Sequence, residues 1–193
     1  MKKRAFLIVA GCALSLVGRG ETIDVIRGGV VQGITVPASA APFQVAPDGV
    51  VFKDTRAIYK VDRPLGDAFT VKIRMKGEKL DKSAGSIVLF NGTDANHFIF
   101  SGSKQTMWLQ GAVFAKTQLN RMAPDAVLNG EFFDLEIKRF KSEAQGDVLE
   151  FVINGESIVT IPVTMKLDAI GLRPWGGVLR IESFSITTGG VVG

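Results

Sequence analysis

The segment Phe69-Thr-Val-Lys-Ile-Arg-Met-Lys76 alternates without a break: Phe69, Val71, Ile73 and Met75 fall on one side, Thr70, Lys72, Arg74 and Lys76 on the other. Successive side chains of a β-strand point to opposite faces, so this pattern dictates a strand with one face on a core and one in water. A helix would scatter the same apolar set around its axis. Further strands are read at Ser86–Phe90, His97–Phe100, Met107–Gln110, Phe132–Phe140, Val148–Ile153, Ser157–Ile161, Ala169–Leu172 and Val178–Ile186, separated by turn residues. Several carry aromatic residues on both faces, as expected of strands covered on each side. Asn154-Gly155 joins two of them. Both residues tolerate positive φ, which a two-residue type I′ hairpin requires. Ala112–Leu119 and Ala123–Leu128 offer a helical turn or two at most. The expectation is all-β: an antiparallel sandwich or barrel.

Composition narrows the function classes. A chain of 193 residues fits one domain with a full core, with short appendages. Lys and Arg total 23 against 19 Asp and Glu, a net charge of +4. Lys2, Lys3, Arg4 and Arg19 account for the surplus, and the first twenty residues hold no acid. The rest of the chain is balanced. Counterion release from phosphates needs clustered Lys or Arg in excess, so nucleic-acid binding is disfavoured. A single cysteine and a single histidine rule out an internal disulfide and a Cys/His zinc cluster.

The N-terminus reads as an export signal. A basic Lys2-Lys3-Arg4 precedes the uncharged stretch Ala5–Gly18, too short for the roughly 20 apolar residues of a spanning helix. Within it, Val9-Ala10-Gly11-Cys12 resembles a bacterial lipobox, in which the cysteine is lipidated; the alternative is an ordinary signal peptide cleaved near Gly18–Gly20. A lipid on Cys12 would be this chain's one link to a membrane. Residues 21–47, with Pro37, Pro42 and Pro47, read as a linker or edge segment with a short extended piece near Val30–Val36. The β-domain is expected over 48–189.

Gly85-Ser-Ile-Val-Leu-Phe90 and Asn96-His-Phe-Ile-Phe100, after the Phe69–Lys76 strand, resemble the first half of a concanavalin A-like jelly roll. Asn129-Gly-Glu-Phe-Phe-Asp-Leu-Glu-Ile-Lys-Arg139, Leu149-Glu-Phe-Val-Ile-Asn-Gly-Glu156, Ile170-Gly-Leu-Arg-Pro-Trp175 and Leu179-Arg-Ile-Glu-Ser-Phe-Ser-Ile186 extend the likeness. They are similar to laminin G-like modules, to modules beside bacterial sialidases and to 3-keto-disaccharide hydrolase-like domains. The resemblance implies an antiparallel β-sandwich, spanning roughly Val45 to Thr188, in a superfamily with many activities.

Carbohydrate recognition rests on flat rings beside hydrogen-bonding groups. The two tryptophans, Trp108 and Trp175, are the candidates, with Arg173, Gln110 and Asn91 as polar partners. The leading expectation is a glycan-binding domain with no catalytic residues. A protein-binding adhesion module is a further alternative. Glu131, Asp134 and Glu136 raise a second reading, because retaining glucanases of this fold carry Glu-x-Asp-x-Glu on a strand. Retention needs two carboxyl groups about 5–5.5 Å apart. Strand alternation puts Asp134 and Glu136 together and Glu131 on the opposite face. His97 reads as a strand-edge histidine with a local hydrogen bond rather than a general base. Asn91-Gly-Thr93-Asp94-Ala-Asn96 clusters side-chain oxygens of the kind calcium takes, and equally makes an unaided polar turn. No cofactor other than calcium is implied.

Overall fold

The computed structural model describes residues 20–53, 57–80, 84–114 and 119–189. Cys12 and the rest of the expected export signal lie outside them.

The strands form two antiparallel sheets packed face to face. The first runs β14 (Glu156–Pro162), β13 (Gly146–Ile153), β12 (Phe133–Ser142), β7 (Phe69–Glu78), β16 (Val178–Thr188), β1 (Glu21–Arg27) and β2 (Val30–Val31). Two more strands join it: β5 (Gly49–Phe52) pairs with β16, and β4 (Gln44–Ala46) with β5. The second runs β11 (Asn120–Met122), β10 (Thr106–Gln110), β9 (Asn96–Ser101), β8 (Ala84–Phe90), β15 (Ala169–Arg173), β6 (Tyr59–Val61) and β3 (Ile34–Thr35).

Alternation sets what each strand buries. On β7, Phe69, Val71, Ile73 and Met75 are buried between the sheets, while Lys72 faces water. Each such side chain contributes about 1.5–3 kcal/mol by leaving water. Across the gap, Phe98 of β9 meets Phe151 of β13 at 4.7 Å between ring centres, and Phe100 meets Phe133 edge-on at 6.1 Å. Tyr59 packs against Phe52 and donates its hydroxyl to the Ala41 carbonyl. The hairpin from β13 to β14 turns on Asn154 (φ 50°) and Gly155 (φ 82°), the paired positive values a type I′ turn needs.

Residues 21–47 carry β1 to β4, which lie at the edges of both sheets. β1 pairs with the end of β16, from Glu21 opposite Thr188 to Ile26 opposite Phe184. Val25 and Ile26 are buried in the core. Of the short helical pieces, a 3-10 turn at Ala112–Phe114 buries Val113 and Phe114, and a single α-turn occupies Asp125–Leu128.

Candidate functional site

The two sheets present very different outer faces. On the nine-stranded sheet the outward residues of β7, β12 and β16 are charged and matched. Lys72 reaches Glu136 at 3.3 Å, Arg74 reaches Glu182 at 2.6 Å and Asp134 at 3.2 Å, and Arg180 reaches Glu78 at 2.6 Å. Lys138 lies between Glu136 and Glu150. Burial works to raise the Glu136 carboxyl, but hydrogen bonds and charge from Lys138 and Lys72 win and hold it below the usual range. Asp134 and Glu136, two of the three carboxylates that raise a glucanase reading, are therefore neutralised members of a surface lattice. Glu131 precedes β12, exposed, in the loop after the α-turn. Among the described residues no group of acidic or histidine side chains gathers in metal-binding geometry.

The seven-stranded sheet is organised otherwise. Its core-facing residues are Ile87, Leu89, Phe98, Phe100, Ile170 and Leu172. The intervening positions face outward. Register places Arg173, Ser86, Ile99 and Trp108 in one row across β15, β8, β9 and β10. The adjacent row reads Lys60, Gly171, Val88, His97 and Gln110. Three strand spacings of about 4.8 Å separate Arg173 from Trp108, about 14 Å in all.

Trp175 is brought over this face by an unusual turn. Gly177 donates its backbone N–H to the Pro174 carbonyl at 2.9 Å, and the two residues between have positive φ, 50° at Trp175 and 90° at Gly176. Gly176 adopts this at no steric cost, whereas a tryptophan in the left-handed region costs on the order of 1–3 kcal/mol. Ring contacts offset it. The indole stacks on the His97 imidazole at 5.3 Å and 17° between planes, and the Arg173 guanidinium lies 4.6 Å from its centre.

His97 is 3% exposed although it faces away from the core. Loss of solvent, and then the positive charge of Arg173, push its pKa below the ordinary histidine value, with Asp94 partly opposing. The ring is therefore neutral at neutral pH. Its Nδ1 lies 3.3 Å from the Ser86 hydroxyl, which is also fully buried. A neutral imidazole gives Trp175 a flat, uncharged platform.

Two further rings border the face. Trp108 is half-buried, with the exposed Lys104 ammonium 5.1 Å above it. Phe90 lies against Gly171, where an added Cβ would come within 3.1 Å of the ring. Lys60 sits 5.0 Å over the same phenyl group. Thr35, Pro37, Lys60, Phe90 and Asp94 line a cleft of about 610 Å³ beside it.

The sequence candidates thus divide. Arg173 and Trp175 are in contact, Trp108 shares the row of Arg173, and Gln110 is exposed in the row of His97. Asn91 is spent on structure. Its side-chain oxygen accepts from Asn96 at 2.7 Å and from Thr93 at 3.2 Å, and its amide nitrogen donates to the Met165 sulfur. Asn96 is buried, with its oxygen accepting the Val113 N–H and its amide donating to the Leu89 carbonyl. Of the oxygens that calcium could take, those of Asn91, Thr93 and Asn96 have protein donors. His97, Lys60, Phe90 and Lys104 were not among the candidate ligand residues. The signal that finds His97 is polarity out of phase: Ser86, His97 and Ser101 fall at outward positions of strands that, Asn96 aside, are otherwise apolar.

No protein-family model and no curated protein matches this sequence. Solved structures do. One is Crh5 transglycosylase in complex with NAG, with a TM-score of 0.63 at 15% identity over 90% of this chain and 85% of that one. Another is alginate lyase AlgAT5 from polysaccharide lyase family 7, at 0.53 and 14% identity over 78% of this chain and 83% of that one. A third is Caenorhabditis elegans galectin LEC-6, at 0.51 and 13% identity over 70% of this chain and 94% of that one. The fold is a concanavalin A-like jelly roll. At such identities the likeness is one of architecture, and the chemistry has to be argued from this jelly roll's own side chains.

Proposed function

We propose that this jelly roll is an exported carbohydrate-binding domain whose ligand lies across the outer face of the seven-stranded sheet. The observation that carries this reading is that both tryptophans of the chain reach that one face, half-exposed, while the opposite face is filled by ion pairs. A pyranose has apolar faces and a polar rim. Rings at Trp108, Trp175 and Phe90 suit the first; Gln110, Arg173, Lys60 and Thr35 suit the second. One side of Trp175 is taken by His97, so its edge and the open ring of Trp108 carry the contact. Lys104 is exposed and on a flexible stem, free to swing off Trp108. The known proteins of similar fold include a transglycosylase with bound NAG, an alginate lyase and a galectin, which fits a carbohydrate ligand.

Trp175→Ala and Trp108→Ala should each abolish retention on a glycan array while leaving the unfolding midpoint within a few degrees. Retention by both variants at wild-type strength would overturn the reading. Capture of one protein partner by a chain that no sugar retains would favour an adhesion module. Export is part of the same proposal and rests on the basic, then apolar, N-terminus. The mature protein's intact mass should show either a lipid on an N-terminal Cys12 or a start beyond Gly18. A mass that retains Met1–Gly18 would remove it.

A further inference from the structure

Cations and acids are distributed unevenly over the two outer faces. Among the described residues every arginine but one has a carboxylate partner: Arg27 with Asp24, Arg63 with Glu21, Arg74 with Asp134 and Glu182, Arg121 with Glu156, Arg139 with Asp147, and Arg180 with Asp48 and Glu78. The exception is Arg173. It has no carboxylate in reach, and its Nε is buried without a hydrogen-bond acceptor. Arg139, buried in the other sheet, likewise has its Nε and Nη1 without acceptors, so it is the missing carboxylate, and not the buried Nε, that sets Arg173 apart. Lys60 and Lys104 border the same face. Each lies over a ring, at 5.0 Å from Phe90 and 5.1 Å from Trp108, with no acid at ion-pair distance. Asp94 borders the cleft that Lys60 lines, but it acts on His97 and does not pair with the lysine.

The shape of the guanidinium narrows the ligand. Arginine presents a planar fork of donors that matches a carboxylate two bonds at a time, and it lies flat on an aromatic ring without giving up its charge. The Arg173 guanidinium carbon lies 4.6 Å from the centre of the Trp175 ring, and the indole reduces the water that would compete. Ser86, next to it in the row, hydrogen-bonds with His97 and does not serve the Arg173 Nε, which has no partner. The missing counter-charge has to come with the ligand.

We infer that the glycan is acidic: a uronate-type saccharide whose carboxylate pairs with the free fork of Arg173 while its ring lies toward Trp108. The further cations, Lys60 and Lys104, then take neighbouring charged sugars of the same strand. This rests on the carbohydrate reading above and adds its chemical class.

The test compares acidic oligosaccharides (oligogalacturonate, oligoglucuronate, oligomannuronate) with the same compounds after carboxyl reduction, titrated calorimetrically into the mature protein. At least one acidic series should bind roughly ten- to a hundredfold tighter than its reduced counterpart, the range of one charge-assisted pair. Arg173→Gln should erase that preference, and Arg173→Lys should restore only part of it, because a lysine keeps the charge without the fork. Affinity for the acidic series should fall as salt rises. A neutral series that binds through Trp108 and Trp175 and ignores Arg173→Gln would overturn the acidic assignment and leave the carbohydrate reading intact. If neither acidic nor reduced compounds bind, the carbohydrate reading itself falls.

Discussion

At the residue scale, His97 makes the sharpest prediction because its environment disfavours charge. The ring is buried on an outward-facing position, under an indole and beside a guanidinium; burial and the guanidinium charge favour the neutral form, with Asp94 partly opposing. Its folded-state pKa therefore lies below the value of 6.5 that applies when the chain is unfolded. Between the two values the unfolded chain binds more protons than the folded one, so stability rises with pH there and is complete above about 6.5. Lowering pH through that window should lower the unfolding midpoint before the carboxylates begin to titrate. His97→Gln should flatten the profile in the window just below about pH 6.5. If the variant keeps the wild-type slope, the imidazole is not held neutral by this packing. A related effect should appear in binding, since a protonated His97 would repel Arg173 and unseat the Trp175 platform.

At the scale of elements, legibility followed local pattern. The alternation of Phe69–Lys76 is enough to place β7 and its buried set, and Asn154-Gly155 places the β13–β14 turn, although a bulge between Phe151 and Val152 shifts the register beyond it. Strands covered on both sides were readable too, because apolar runs such as Ser86–Phe90 have no solvent face to conceal. What resisted reading was short or held only by partners. β1, Glu-Thr-Ile-Asp-Val-Ile-Arg, has polar residues scattered through it and a bulge between Asp24 and Ile26 that breaks its period. It is a strand because β16 offers an open edge, which its own sequence does not declare. β3, β6 and β11 span two or three residues, too few for any period to show. The site was half legible for the same reason. Trp175 and Arg173 stand two apart in a Pro/Gly turn and were visible together. Their meeting with His97 depends on three strands lying side by side, a fact of topology. Asn91 misled because a polar loop side chain looks the same whether it faces a ligand or, as here, ties its own loop to Asn96.

At the scale of the molecule, the two outer faces divide electrostatic labour, and that division is testable as a whole. The lattice on the nine-stranded sheet is uneven: Arg180 is 17% exposed and Glu136 28%, but Arg74 is 42%, Asp134 58% and Glu182 51%. Pairs this wet are worth about 0–1 kcal/mol each and fade with salt, so they decide little of the stability. Their consequence is to leave that face without net attraction for an anion, while the opposite face keeps its cations free. Asp134→Asn and Glu136→Gln, singly or together, should change unfolding free energy by less than about 1 kcal/mol each in urea titrations and leave saccharide affinity unchanged. Arg173→Gln should do the reverse, leaving stability nearly constant and weakening an acidic ligand. Raising salt should separate the two faces in the same way, weakening the acidic ligand while barely moving stability, because at about 1 M the screening length shrinks to roughly 3 Å and the long-range pull of the free cations is lost. A saccharide-cleaving activity lost in Asp134→Asn would move the chemistry to the other sheet. So would binding that depends on Glu136 and not on Arg173, since a face whose charges are already answered has no other reason to respond.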